Sequence, residues 1–486
     1  MSSSILSAAT SGAASCSQRS LVTSRLLVQQ TRGAAQKAPA VKVAQSIGGV
    51  KKGQKDKWER KISREYTHRQ HDIPVFTRMS EDKLKLPKTD KSPAVLPEQF
   101  QPMSTSLNLP LFEPKAITRK NVGTAAGFDL TPTNPAKVFG LPKKMFLEFR
   151  ILSTPCSVIR DVTVETKHKL EKAKDSSSKD SRIVLTGRAG CGKSFLLHQA
   201  VQYAKSEGWI VLYIPRAKTL INSTTTYTYD LRTQTYLQPQ ASYRIVEKLL
   251  TVNSDALSTL TLSAPFTLGA DQDKSKVQVF KEGTKLSELA QACVKDKSFQ
   301  SACGTLEVLM RELEGQTKFP VLMAIDDFQS LFHDTAYRDP FFRPIKSHHL
   351  SLPRLILEYA SGKRNFAKGA FLSALTASDT QYAIPLELQD TLELGNRHPV
   401  SPYVQRSETL LQYASGLDAN AGGLQNLKVP EKFSVEEAQA LFEVWKDDLA
   451  LTNSRHDESF MAKYVESDGN PRDFVWKGVL ASYAPS

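Results

Sequence analysis

The feature that most constrains the fold of this chain is a phosphate-binding loop pattern at residues 187–194. A short apolar run at 182–186 precedes it, and apolar residues at helical spacing follow it from Phe195 to Val201. The loop matches G-x-x-x-x-G-K-[ST] at every fixed position and consists of Gly187, Arg188, Ala189, Gly190, Cys191, Gly192, Lys193 and Ser194. A strand, a glycine-rich loop and a helix in this order predict an α/β nucleotide-binding domain.

The residue types in the loop suit a polyphosphate that carries magnesium. Glycines let backbone N–H groups turn toward phosphate oxygens, and the start of the following helix adds partial positive charge. We expect Lys193 to reach the β- and γ-phosphates and the Ser194 hydroxyl to bind Mg²⁺. All eight loop residues are therefore predicted to contact the nucleotide.

An acidic partner for the loop follows a second apolar run, at 318–325. Asp326 stands at the carboxyl end of this predicted strand, where it would hold Mg²⁺ directly or through water. Asp327 occupies the position where many ATPases carry a catalytic Glu, so it is the candidate catalytic residue, although its side chain is about one methylene shorter. The alternative is a core strand that ends in two solvated acids.

Further strands of the same sheet are predicted at 209–214 and 369–376. Thr376, at the end of the later run, could contact the γ-phosphate or the attacking water, as Ser378 could. Ordinary strand-end polar residues are an equally good explanation.

A Gly-Asn-Pro-Arg sequence at 469–472 is similar to a motif in the helical lid of AAA-type ATPases. There the arginine reaches back to the phosphates, so Arg472 is a candidate nucleotide contact. A helix cap with proline in its first turn is the alternative interpretation. An amphipathic helix is predicted from 435 to 449, with Ser434 as its N-cap.

The positive charge of the chain is concentrated at its N-terminal end. The net charge is +14, and residues 1–90 carry seventeen Lys and Arg against seven Asp and Glu. Residues 1–45 are acid-free, rich in Ser and Ala and punctuated by arginines, which is typical of a mitochondrial transit peptide. The basic and Pro-rich stretch that follows interleaves cations with aromatic residues, which predicts an extended arm that binds RNA or protein. A solvated linker is the alternative.

Several classes of function are disfavoured. No run of about 18 apolar residues exists, so no membrane span is expected. The five cysteines (Cys16, Cys156, Cys191, Cys293 and Cys303) form no zinc-type pairs and are predicted to be reduced thiols. No Asn-Lys dipeptide occurs, so the guanine-reading N-K-x-D motif of Ras-like GTPases is absent.

The chain resembles the death-associated-protein-three family of the mitochondrial ribosomal small subunit, in what looks like a fungal form. The resemblance covers roughly residues 120–480. It is carried by the sequence Gly-Leu-Pro-Lys-Lys-Met at 140–145, by the phosphate loop, by the acidic strand and by a distinctive segment at 335–355. It implies guanine-nucleotide binding and a ribosomal role near contacts to the large subunit. The expected ligands are thus GTP or GDP, with ATP as the alternative, and Mg²⁺.

The predicted architecture is a P-loop NTPase domain of AAA-like, three-layer type at 140–395 and a small helical lid at 396–486. An arm at 46–139 and the transit peptide precede them. The predicted function is that of a structural constituent of the small subunit in the mitochondrial matrix, which contacts ribosomal RNA and neighbouring proteins and supports translation. The alternatives are an active, slow GTPase or ATPase that switches during assembly or subunit joining, and a matrix signalling ATPase unrelated to ribosomes.

Overall fold

The computed structural model describes eight stretches of the chain. They are residues 107–129, 131–268, 278–296, 299–395, 406–416, 423–448, 450–451 and 456–479. The predicted transit peptide and the basic part of the predicted arm lie outside the described residues.

The described residues alternate helices and strands. The strands are β1 (Ala125–Gly127), β2 (Cys156–Val158), β3 (Arg182–Thr186), β4 (Ile210–Ile214), β5 (Thr228–Asp230), β6 (Thr235–Leu237), β7 (Phe266–Leu268), β8 (Gln278–Phe280), β9 (Val321–Ile325), β10 (Asp334–Arg338), β11 (Pro344–Lys346), β12 (Gly369–Ala374) and β13 (Gln425–Lys428). The α-helices are α1 (Pro135–Phe139), α2 (Lys143–Ile151), α3 (Asp161–Ala173), α4 (Lys193–Ser206), α5 (Pro239–Val252), α6 (Ser254–Thr259), α7 (Leu286–Asp296), α8 (Ala302–Gly315), α9 (Ser351–Ser361), α10 (Leu386–Thr391), α11 (Glu408–Ser415), α12 (Val435–Asp447), α13 (Asp457–Glu466) and α14 (Pro471–Asp473). Phe474–Val479 continues α14 as a π-helical turn.

A five-stranded parallel sheet forms the centre of the fold, in the order β13-β3-β12-β9-β4. The strands β3, β4, β9 and β12 are buried along their whole length. Near-continuous apolar runs of this kind are what a parallel sheet covered on both faces requires. The predicted α/β class and the four strands predicted from apolar runs are therefore confirmed.

Part of the predicted arm is folded. Residues 107–139 carry buried apolar side chains, among them Phe112, Ile117 and Phe128, and β1 pairs with β2 in an antiparallel ladder. The described structure therefore extends about thirty residues further toward the N-terminus than the predicted boundary at 140. The sequence did not predict this folded part, because its buried residues are spaced irregularly and follow neither strand nor helix periodicity.

The segment predicted as a helical lid also contributes a strand to the central sheet. β13 pairs in parallel with β3, with Leu427 opposite Leu185. Its sequence, Gln-Asn-Leu-Lys, has a single apolar residue, because an edge strand of this length buries little. The prediction of a helical lid at 396–486 is therefore corrected: this segment contains β13 as well as helices, with α11 before the strand and α12, α13 and α14 after it.

The C-terminal helices form a second, smaller apolar cluster with β2. α12 contributes Leu441 and Trp445, and the turn after α14 contributes Phe474. The prediction that Ser434 caps α12 is confirmed, since its side chain accepts from the backbone N–H of Glu437, 3.1 Å away, and Glu437 closes a capping box. This cluster holds the C-terminal helices beside the carboxyl ends of the central strands.

Candidate nucleotide-binding site

The phosphate loop follows β3 and turns directly into α4. Gly187, Gly190 and Gly192 have φ angles of 139°, 86° and 96°, a region in which a side chain would be strained. Gly192 immediately precedes the first turn of α4, whose backbone N–H groups have no acceptor inside the helix. The loop therefore has the backbone geometry of an anion-binding site at a helix N-terminus.

Lys193 and Ser194 begin α4 at the centre of the site. The ammonium of Lys193 is buried and donates to the carbonyls of Gly187 and Arg188, at 2.9 and 2.8 Å. The Ser194 hydroxyl and the Lys193 charge both lower the pKa of the Asp326 carboxyl. The two residues predicted to bind phosphate and metal thus lie close to the acid from another strand, and all three line one cavity.

Asp326 stands at the end of β9 and is 2% exposed. Burial, and next the adjacent charge of Asp327, raise the pKa of the Asp326 carboxyl above its ordinary value, while the Ser194 hydroxyl and the Lys193 charge act in the opposite direction. A cation beside this carboxyl would offset both effects, because it favours the charged form. Asp326 is therefore placed as a metal ligand would be.

Asp327 has a different environment. Its φ of 57° is unusual for a residue other than glycine, and its backbone N–H donates to Asp326 Oδ1 at 2.9 Å. Its carboxylate lies 3.7 Å from the ammonium of Lys218, which also contacts Asp379 at 3.1 Å. Asp327, the candidate catalytic acid, is therefore paired with Lys218, a cation that no sequence motif marks.

The strand-end residue Thr376 lies at the same edge. Its backbone N–H and carbonyl are both bound by the side chain of Gln329, at 3.0 and 3.1 Å. Thr376 and Ser378 line the same cavity as Lys193 and Asp326.

The Gly-Asn-Pro-Arg motif packs directly against the phosphate loop. Asn470 donates to the carbonyl of Ala189 at 3.0 Å, and the backbone N–H of Arg472 donates to the carbonyl of Gly190 at 3.1 Å. A Cβ on Gly190 would overlap the Asn470 side chain and lie 2.9 Å from Arg472 Cβ. The guanidinium of Arg472 contacts Asp473 at 3.2 Å. The motif thus joins the C-terminal helices to the loop through one side-chain and one backbone hydrogen bond, and Arg472 also lines the cavity.

Arg188 and Cys191 complete the loop. Arg188 is half-exposed and lies 4.0 Å from Asp468. Cys191 is buried as a free thiol, as are Cys156 and Cys293, while Cys303 is a partly exposed free thiol. The predicted reduced state is therefore observed for all four cysteines within the described residues.

Arg160, which no motif marks in the sequence, ties the loop to the C-terminal helices. Its buried guanidinium donates to the carbonyl of Cys191 at 2.8 Å, to that of Lys432 at 2.9 Å and to Glu437 Oε2 at 3.1 Å. It also lies 5.1 Å from the centre of the Phe433 ring. The Arg160 side chain therefore bonds both the phosphate loop and the C-terminal segment that leads into α12.

The site opens into a cavity of about 630 Å³, a size usual for small-molecule pockets. Its lining includes part of the loop together with Asp326, Asp327 and Lys218. Apolar side chains, among them Phe149, Leu441 and Trp445, line it as well. The cavity therefore offers both charged and apolar groups to a ligand.

The described residues contain no group of three or more His, Cys, Asp or Glu that could hold a metal ion. None of the helices in this part of the chain has the length and apolar content of a membrane span.

Comparison with known proteins gives a consistent result. A family model described as mitochondrial ribosomal death-associated protein 3 matches residues 157–476. The small ribosomal subunit protein mS29 of Schizosaccharomyces pombe is 27% identical over 351 residues, which is 70% of this chain and 68% of the relative. The proteins of the same name from Neurospora crassa and Mus musculus are 26% and 22% identical, over 66% and 50% of this chain and 66% and 60% of their own lengths. Since the family model spans well over half of the sequence, the chain belongs to the mitochondrial ribosomal death-associated protein 3 family.

Proposed function

We propose that this protein is a structural constituent of the small subunit of the mitochondrial ribosome that holds a guanine nucleotide with Mg²⁺. The mitochondrial location rests on its family and agrees with the N-terminal composition. The relatives it matches are named as proteins of a small ribosomal subunit. Its contribution to mitochondrial translation would be made as part of that particle, through contacts with ribosomal RNA and neighbouring proteins.

The nucleotide-binding part of the proposal is carried by one observation. Ser194 and the buried Asp326 line the same cavity as Lys193, and the Ser194 hydroxyl lowers the pKa of the Asp326 carboxyl. A hydroxyl and a carboxylate beside a phosphate loop are the ligands that Mg²⁺ takes from a protein when phosphate oxygens and water complete its shell. The bound metal would neutralise phosphate charge, and the loop amides and Lys193 would orient the phosphates.

We further propose that the domain is an AAA-like, three-layer P-loop NTPase. The order β13-β3-β12-β9-β4 places one strand between the loop-bearing β3 and the acid-bearing β9. α3 and α4 pack on this sheet, and the C-terminal helices approach the loop through Asn470. The cavity would receive GTP or GDP, with ATP as the alternative.

A mainly structural role is favoured over rapid turnover. Asp327 is the only candidate base adjoining Asp326 in the described cavity wall, and its carboxylate faces Lys218 at 3.7 Å. This ion pair engages the carboxylate that would have to orient an attacking water, and the positioning of that water is sensitive to distance. The alternative function, an NTPase that switches during ribosome assembly or subunit joining, would require Lys218 to leave Asp327.

The ribosomal contacts are proposed from charge. The basic N-terminal arm would bind RNA phosphates, and its aromatic residues would stack on unpaired bases. A contact with the large subunit is proposed only from the family resemblance.

The test is complementation of a strain that lacks the protein. Wild-type chain should sediment with the small subunit at moderate salt and restore mitochondrial translation. Lys193→Ala removes the cation at the phosphates and should reduce both, whereas the exposed Lys172→Ala in α3 should change neither.

Three results would contradict the proposal. Wild-type protein that remains in the soluble pool would instead favour a signalling ATPase unrelated to ribosomes. Full restoration by Lys193→Ala would remove the structural role of the nucleotide. Turnover stimulated strongly by ribosomal subunits would favour the switching NTPase.

A further inference from the structure

Two adjacent phenylalanines project from the tip of the hairpin formed by β10 and β11. Phe341 is 80% exposed and Phe342 is 82% exposed. Single apolar residues on a surface need no explanation, but two large neighbouring rings in water carry a cost that burial would remove. The tip therefore has the composition of a contact surface.

Hydrogen bonds order the backbone of the tip. Asp339 Oδ1 accepts the backbone N–H groups of Phe341 and Arg343, at 2.8 and 2.7 Å, and the Arg338 guanidinium donates to the carbonyl of Phe342 at 3.2 Å. Phe342 has a φ of 61°, which is costly for a bulky residue by about 1–3 kcal/mol. The backbone that carries the two rings is thus bonded in one arrangement, which lowers the entropy lost when a partner binds.

A second hairpin, β5 and β6, supports the first. The Tyr227 hydroxyl donates to the carbonyl of Arg338 at 2.6 Å, and the Tyr227 ring meets that of Tyr337 edge-on at 5.7 Å. On this hairpin Tyr229 is 41% exposed, and Arg232 is also exposed. Exposed aromatic rings and arginines therefore share one surface, which we call the double-hairpin tip: Tyr229, Arg232, Arg338, Phe341, Phe342 and Arg343.

The two hairpins carry a small excess of positive charge. Their cations are Arg232, Arg338, Arg343 and Lys346, and their acids are Asp230, Asp334 and Asp339. Asp334 pairs with Lys346 at 2.8 Å, and Arg232 and Arg343 are exposed beside the aromatic rings. A protein groove that takes two phenylalanines has no need of surrounding cations, whereas RNA offers flat bases and phosphates together.

We propose that the double-hairpin tip binds unpaired RNA, with bases stacked on Phe341 and Phe342 and phosphates on the arginines. The inference rests on the proposed ribosomal role for the source of the RNA, but the chemistry of the surface stands apart from the nucleotide cavity. Stacking on aromatic rings tolerates any base, so we expect little sequence preference.

The first test measures binding of the full chain to a single-stranded RNA of about 12 nucleotides by fluorescence anisotropy. At about 0.3 M salt the contribution of the basic arm is reduced, because phosphate contacts are the salt-sensitive part of binding. The double variant Phe341→Ala with Phe342→Ala should weaken binding at least tenfold. Phe341→Trp, which keeps a stacking surface, should retain it. Phe299→Ala, at a half-exposed ring elsewhere, is the matched control.

The second test is ultraviolet crosslinking in sedimented small subunits, followed by mass spectrometry of the peptide 339–346. A nucleotide adduct on Phe341 or Phe342 supports the proposal. If the chain sediments with the particle and this peptide is crosslinked to protein or carries no nucleotide, the RNA contact is wrong and the ribosomal role stands. If the chain does not sediment with the particle, the ribosomal role fails, and the anisotropy result alone decides whether the tip binds RNA.

Discussion

Replacement of Arg160 by methionine tests whether one side chain couples the phosphate loop to the C-terminal helices. Arg160 and Glu437 are 8% and 6% exposed, and Arg160 Nε lies 3.1 Å from Glu437 Oε2. Removal of one partner of a buried pair costs about 3–5 kcal/mol, because the remaining charge is left without compensation. The variant also releases the carbonyls of Cys191 and Lys432. We therefore expect Arg160→Met to lose about 4 kcal/mol of unfolding free energy.

The assay is urea unfolding of the full chain, with Glu437→Met and the double variant measured beside the single one. The double variant leaves no buried charge, so its loss should be smaller than the sum of the two single losses by at least about 2 kcal/mol. The exposed Arg150→Met in α2 should stay within about 0.5 kcal/mol of wild type.

A loss below about 1 kcal/mol for Arg160→Met would refute this reasoning, since a buried unpaired carboxylate costs more than that. Additive losses would be equally damaging, because they would mean that the two side chains act independently.

Three further predictions concern the loop, the core and the lid. Gly190→Ala should disrupt the contact of the loop with Asn470, because the φ of Gly190 is 86° and an added Cβ would overlap the Asn470 side chain. The variant should therefore lose nucleotide binding in calorimetry, and an unchanged affinity would contradict this. Burial lowers the pKa of His198 to about 3, so the stability of the wild type should fall as the pH decreases below 6.5. Relative to His198→Leu, the loss at pH 5 should be about 2 kcal/mol in thermal unfolding. Parallel pH curves for the two proteins would refute this. Ser434→Ala removes the cap of α12 and should lower the free energy of unfolding by about 1 kcal/mol, measured with urea. An unfolding midpoint equal to that of the wild type would show that the cap does not stabilise the helix.

The elements that carry the chemistry could be predicted because their signals are local. The glycines of the loop, the apolar run before Asp326 and the cap at Ser434 each specify a structure within about ten residues. Thr376 was predicted to lie at the same sheet edge as the loop, and it does, because parallel strands present their carboxyl ends together.

The residues that connect these elements could not be predicted. Arg160 contacts residues that are 31 and 277 positions away in sequence, and Lys218 reaches Asp379 across 161 positions. No spacing rule links such pairs, because only the folded sheet brings them together. β13 could not be predicted for a related reason. It pairs with the edge that β3 offers, and its own apolar content is low.

The central claim is that the loop, Lys193, Ser194 and Asp326 form a site for a magnesium-bound nucleotide. Calorimetric titration of the purified full chain with GDP or GTP, with and without Mg²⁺, tests it most directly. We expect saturable binding that Mg²⁺ strengthens and that Lys193→Ala and Asp326→Asn both weaken by more than tenfold. Wild-type protein that carries no nucleotide, and takes up neither guanine nor adenine nucleotides at millimolar concentration, would contradict it.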